Sequence, residues 1–391
     1  MRRVIVIMAV IGLGLVAAGG GYALAQAQQD DERSSVGSDE GGAVGSSAAV
    51  GRADTRGVAP VKPVTPDVDT IEGTPANGVR TFELTAAEVT QQIANFPLKT
   101  AKVWGYNGST PGPTLLMTQG ETIRVVVTNN LPPTDPMGPG MGPPPRPTST
   151  TVHFHGTHMP NSADGVAGIS QPDPIAPGQT FTYEFAPEHA GTFAYHSHTD
   201  GAVQELRGLD GFLIVQPKSV DERERVDKDF ALTVQQFAPP SEGALVDPFP
   251  PGTGDFPFST INGKTSEAAG GTMDIEEGDR VRLRLYNASN VEHSMHLHGH
   301  DFVIISRNGH PVPPAAQTEQ TTETFGPGDF FELVFVADNP GNWIFHCHVP
   351  HHTSNKMMPG YNGSPVGMTR ILHYKKFAPV PDKYFEFDGM G

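Results

Sequence analysis

The chain has a single cysteine among its 391 residues. One cysteine forms no internal disulfide, and it excludes cysteine-based zinc frameworks, iron–sulfur cages and a CxxC redox pair. Basic charge is also scarce. Lys and Arg number 26 against 43 Asp and Glu, for a net charge of −17. No basic surplus remains to displace counterions from a phosphate backbone, so nucleic acid is not an expected partner. Glycine (45 residues) and proline (37) are plentiful instead. Together they make up about a fifth of the chain, which points to turns and short strands rather than helix bundles. Histidine, at 16 residues, is the other surplus.

Arg2 and Arg3 precede an uncharged stretch whose apolar centre reads VIVIMAVIGLGLVAA. Ala23-Leu24-Ala25 supplies the small residues of a cleavage site, so residues 1–25 read as a secretory signal. The alternative is an uncleaved anchor, because ~20 apolar residues can span a bilayer. Either way the rest is expected outside the cytoplasm: secreted, periplasmic or at the cell surface. A lone cysteine there needs protection from oxidation, for instance by a metal. Residues 26–75 are rich in Ser, Gly, Ala, Asp and Pro and almost free of large apolar side chains. Such a segment buries too little to offset its ordering entropy and reads as a disordered linker.

The remainder contains a repeat. GETIRVVVTNN starts at Gly120 and GDRVRLRLYNA at Gly278, both alternating with period two. GQTFTYEF from Gly178 and GDFFELVF from Gly328 repeat likewise, and each reaches a His-x-His 18 residues after its glycine. Two β-sandwiches of one design follow, at residues 76–218 and 222–378, with a C-terminal tail at 379–391. The first carries a proline-rich insertion, Leu131 to Pro147.

Random placement of the histidines gives about 0.7 His-x-His pairs. The chain has five: His153/His155, His196/His198, His296/His298, His298/His300 and His346/His348. In a strand, residues i and i+2 leave on the same side, so each pair presents two imidazoles to one place. Imidazole suits copper, zinc, iron and nickel. The eight imidazoles of the four pairs at matched repeat positions (all but His298/His300) exceed what one ion holds and imply a cluster of about three. Cys347 adds a thiolate between His346 and His348. His352 follows it by five residues, Met357 by ten, and His293 precedes His296 by three. Two His, one Cys and a weak Met form the blue-copper electron-transfer set.

With these motifs the sequence resembles the multicopper oxidases, specifically their two-domain, laccase-like group. HFHG (from His153), YHSH (from Tyr195), HSMHLHG (from His293) and HCHVPHHTSNKM (from His346) match that family's four copper motifs in order. The resemblance covers about residues 76 to 376 and implies an all-β chain of two cupredoxin-like Greek-key sandwiches. It implies that His293, Cys347, His352 and Met357 hold a type 1 copper. It makes His153 and His296 type 2 ligands, and His155, His196, His198, His298, His346 and His348 type 3 ligands, for four coppers per subunit. The expected activity is one-electron oxidation of phenols or aromatic amines at His352 and Cys347, coupled to reduction of O2 to water. Asp164, nine residues past His155, matches the family's proton-relaying carboxylate. Thr353 stands where many bacterial relatives carry a second one. Two-domain relatives assemble as homotrimers, with the first domain of one subunit facing the second domain of the next.

Aligned on the repeat, the type 1 positions of the first domain hold Thr150, Ser197, Ala202 and Arg207. That domain therefore lacks a soft copper site, unlike the copper nitrite reductases. The spacing selects His352 over His351. His300 is expected to pack beside the cluster, while His158, His189, His310 and His373 carry no spacing argument. The alternatives to a laccase are a metallo-oxidase of Cu(I), Fe(II) or Mn(II), for which Met137, Met141, Met159 and Met358 offer thioethers, and a non-catalytic copper-binding protein.

Overall fold

In the strand Thr122–Asn130, Ile123, Val125 and Val127 are buried and their neighbours face outward. Its repeat counterpart, Arg280–Asn287, buries Val281, Leu283 and Leu285 in the same way. The two strands take the same place in two sheets. Thr122–Asn130 runs parallel to Val79–Gln92 and antiparallel to Thr180–Phe185. Arg280–Asn287 runs parallel to Lys228–Phe237 and antiparallel to Phe330–Val336. This computed structural model describes residues 57–134, 148–221, 224–248, 256–354, 366–381 and 384. The expected signal segment, most of the expected linker and tail, and Met137, Met141, Met357 and Met358 lie outside the described residues.

The second sheet of each sandwich carries the histidines. In the first domain Gly112–Thr118 is parallel to Asp210–Gln216, which is antiparallel to Gly191–His196, itself antiparallel to His153–His155. In the second, Met273–Ile275, Thr369–Tyr374, Asn342–Cys347 and His293–Leu297 follow with the same directions. The chain is thus nearly all β, in two cupredoxin-like sandwiches, each with its own apolar core.

A third, smaller core joins them. Ile93, Ala94, Ala101 and Val103 of the first domain pack with Phe237, Val246 and Phe258 of the second. Polar groups cross the same junction. Gln235 Nε2 donates to Asp210 Oδ2 at 2.7 Å. Arg284, buried, donates from Nη1 to Thr192 Oγ1 at 2.6 Å and to Glu332 Oε1 at 2.9 Å, and from Nε to Asp229 Oδ1 at 2.9 Å. Burial alone would raise the Asp229 carboxyl, but Arg284 and then Arg282 hold it below the usual carboxylate range.

Residues 57–75 require a correction. They were assigned to a disordered linker, yet they are ordered along both sandwiches. Val58 pairs with Val220, Val64 with Phe230, and Thr70–Ile71 adds a parallel strand beside Thr114 and Leu115. Asp67 accepts from Arg370 Nη2 at 3.1 Å and from the Gly270 N–H at 2.6 Å. Backbone ladders and a buried ion pair order this segment, where the sequence offered few apolar side chains to do so.

Arg284→Ala removes the more deeply buried of the two cations that pair with Asp229 and Glu332. It is expected to cost about 3–5 kcal/mol, read as a lower urea midpoint. An unchanged midpoint contradicts this account of the junction.

Candidate metal centres

The strand Asn342–Cys347 sends His346 to one face and Cys347 to the other, and His348, just past its end, packs beside His346. Cys347 enters the core of the second domain beside Met295 and Met368, with no exposed surface. There Cys347 Sγ lies 3.6 Å from His293 Nδ1 and 3.4 Å from His352 Nδ1, and the two nitrogens are 3.1 Å apart. His293 and His352 are buried as well. Ser289 Oγ lies 2.7 Å from the far nitrogen of His293, Nε2, and fixes the ring with Nδ1 toward the sulfur. The exposed ring of His351 packs 4.5 Å from that of His352, at 68°, and takes no part in the convergence. The Thr353 hydroxyl donates to Pro350 O at 2.8 Å, bracing the turn that carries His352. One soft sulfur and two imidazole nitrogens meeting inside an apolar core fit a copper ion.

The corresponding place in the first domain is filled. Thr150 Oγ1 and Ser197 Oγ lie 3.1 Å apart. Ser197 Oγ also donates to Gln204 Oε1 at 2.6 Å, and Gln204 Nε2 donates to Ser149 O at 2.8 Å. Arg207 lies under Trp104, 4.5 Å from its ring centre. Hydrogen bonds occupy the volume that a soft metal site takes up in the second domain.

The eight paired imidazoles form two groups of four. In the first domain His153 lies 5.4 to 5.8 Å, ring centre to ring centre, from His155, His196 and His198. In the second His296 lies 4.8 to 5.6 Å from His298, His346 and His348. Among the described residues no ring contact or hydrogen bond joins one group to the other. His198 and His348, at matched repeat positions, are both exposed.

Four of these rings are oriented by backbone carbonyls. Nδ1–H of His153 donates to Asp164 O at 2.8 Å and that of His296 to Thr321 O at 2.8 Å. His196 donates to Ser197 O at 3.0 Å and His346 to Cys347 O at 2.8 Å. A carbonyl only accepts, so each bond places the proton on Nδ1 and leaves the Nε2 lone pair for a metal. His346 Nε2 and His298 Nε2 accordingly meet at 3.1 Å, and His196 Nε2 lies 3.4 Å from His155 Nδ1. Burial, and then neighbouring histidines, push both His155 and His346 down to about 4. These rings are neutral at neutral pH, the form that ligates metal. The donor chemistry and the free lone pairs both fit copper.

Carboxylates stand behind the first group. Asp164 Oδ1 lies 3.3 Å from His153 Nδ1. Glu205, which the sequence reading passed over, lies 3.3 Å from His196 Nδ1. Burial acts to lower His196, but the hydrogen bond to Glu205 and its charge outweigh this and raise it. A signal was present: Asp164 follows His155, and Glu205 follows His196, by the same nine residues. His300 packs beside the second group as expected, with Nε2 2.7 Å from Tyr374 Oη.

Two family models, both described as multicopper oxidase, match residues 239–365, and residues 88–137 with 145–220. Laccase-1 of Fomitopsis schrenkii is 32% identical over 285 residues, which is 71% of this chain and 49% of that protein. The chain spans about half the length of the first curated relatives it matches. Among solved structures it is similar to the multicopper oxidase mgLAC (30% identity, TM-score 0.65), over 78% of this chain and 89% of that one. It is also similar to the blue copper oxidase of Nitrosomonas europaea (28% identity, TM-score 0.63), over 79% and 93%. Matching models on both sandwiches, together with the convergent His–Cys–His set and the paired imidazoles, lead to one assignment: the chain belongs to the multicopper oxidase family.

Proposed function

We propose that the chain is a copper-dependent oxidoreductase of the laccase type, coupling one-electron oxidation of phenols and aromatic amines to the four-electron reduction of O2 to two waters. The observation that carries this reading is the buried convergence of His293, Cys347 and His352, one peptide bond from His346 and His348. Copper held by these residues would supply one-electron redox chemistry, and at the paired imidazoles the reduction of O2. His293, Cys347, His352 and Met357 would hold the type 1 ion, and His153 with His296 the type 2 ion. His155, His196, His198, His298, His346 and His348 would hold the type 3 pair, giving four coppers per subunit.

The chain's own part is to connect and to orient. Cys347 is bonded through the backbone to both His346 and His348, a short covalent route between the two kinds of site. Asp164, half exposed, reaches solvent on one side and His153 Nδ1 on the other, and so can relay protons inward. Each domain displays four imidazoles that meet no partner group among the described residues. A head-to-tail contact between copies supplies one, and it closes as a homotrimer when its rotation is 120°. The apolar stretch after Arg2 and Arg3 supports export from the cytoplasm, with cleavage or retention as an anchor.

Cys347→Ser is expected to abolish the blue colour and oxidase activity while the protein keeps part of its copper. A blue, active variant overturns the assignment. Light scattering is expected to give about three chains per particle, and a fully active monomer contradicts the shared clusters. Oxygen uptake is expected with a phenol and not with Cu(I), Fe(II) or Mn(II), and to fall in Asp164→Asn. Uptake with a metal ion alone selects a metallo-oxidase, and no uptake with any donor selects a copper carrier.

A further inference from the structure

Three histidines without a sequence rationale meet where the two domains touch. His189 of the first domain lies between His158 and His310. Its ring centre is 5.5 Å from each, at 77° to His158 and 12° to His310. The same spacings recur among the copper-site imidazoles: His296 and His348 lie 5.4 Å apart at 77°, and His346 and His348 lie 5.7 Å apart at 28°. Nε2 of His189 is buried and has no hydrogen-bond partner among the described residues. Glu188 adds a carboxylate, with Oε2 3.9 Å from His158 Nδ1.

The second domain holds its contribution firmly in place. His310 follows a tight turn at Asn308 and Gly309, both with positive φ. Gly309 presses on Phe193 of the first domain, where an added Cβ would fall 2.2 Å from the ring. Only glycine fits there, so the hairpin tip seats on the first domain and sets His310 against His189. Phe193 and Phe330, with ring centres 6.0 Å apart, separate this group from His155. It is therefore distinct from the copper centres.

We propose that His158, His189 and His310, with Glu188, form a site for a divalent ion of the zinc type that ties the second domain's hairpin to the first domain. Imidazole and carboxylate are the ordinary ligands of such an ion. Burial, then His310 and His158, lower the proton affinity of His189 and favour the neutral ring a metal needs. The unpartnered Nε2 of His189 marks the buried end of this site.

The test is calorimetric titration of the copper-loaded full chain with zinc chloride, with copper content and the visible band followed in parallel. Wild type is expected to take up one zinc per chain, with a melting temperature that rises with zinc concentration. His310→Asn and His189→Phe, the latter keeping an aromatic ring on Phe193, are each expected to weaken zinc binding roughly tenfold or more. Copper content and colour should stay unchanged. Zinc uptake by both variants equal to that of wild type overturns the site, as does absence of zinc uptake by wild type. Neither outcome bears on the laccase reading, since these residues hold none of the copper.

Discussion

A β-strand sends alternate side chains to opposite faces, and the metal chemistry of this chain depends on that constraint. At His346-Cys347-His348 it puts two imidazoles on the outside of a sandwich and one thiolate in its core. The buried sulfur then sees only what the core offers, which is His293 and His352 arriving from a neighbouring strand and a short turn. The outward imidazoles join His296 and His298 on the adjacent strand, because Met295 pairs with Cys347 and His296 with His346 in the ladder. A slip of one residue would exchange the two faces and dismantle both sites. The strand register is thus part of the metal site.

Backbone carbonyls complete the arrangement. The same bond, Nδ1–H to a main-chain oxygen, recurs at His153, His196, His296 and His346. At His196 and His346 the acceptor is even the equivalent residue, the next one along. A main-chain oxygen has less freedom to move than a side chain, and the repeat preserves these bonds in both halves. The second half has a further site because Cys347 stands where the first has Ser197, tied to Thr150 and Gln204.

Much of this was legible in the sequence. Period-two alternation located the strands around Ile123 and Val281, and the matched 18-residue intervals located two of the imidazole pairs. Both signals reflect local geometry. Other features arise from tertiary contact and left little trace. Residues 57–75 looked disordered because they lack apolar side chains, yet Asp67 and backbone pairing hold them. Arg284, Asp229 and Glu332 read as ordinary polar strand residues until the domains met around Thr192. Glu205 returns to His196 only because the short helix Gly201–Gln204 turns the chain back. His189 and His310 come from different domains and share no spacing at all.

The groups behind the imidazoles differ between the domains. Asp164 and Glu205, which stand behind His153 and His196, can form ion pairs with them. Behind His296 and His346 are Thr321 O, the Thr322 hydroxyl and Cys347 O, which cannot. Carboxylates therefore back one set of four, and neutral oxygens back the other. A duplicated frame thus keeps its buried thiol in one half and the carboxylates behind its imidazoles in the other.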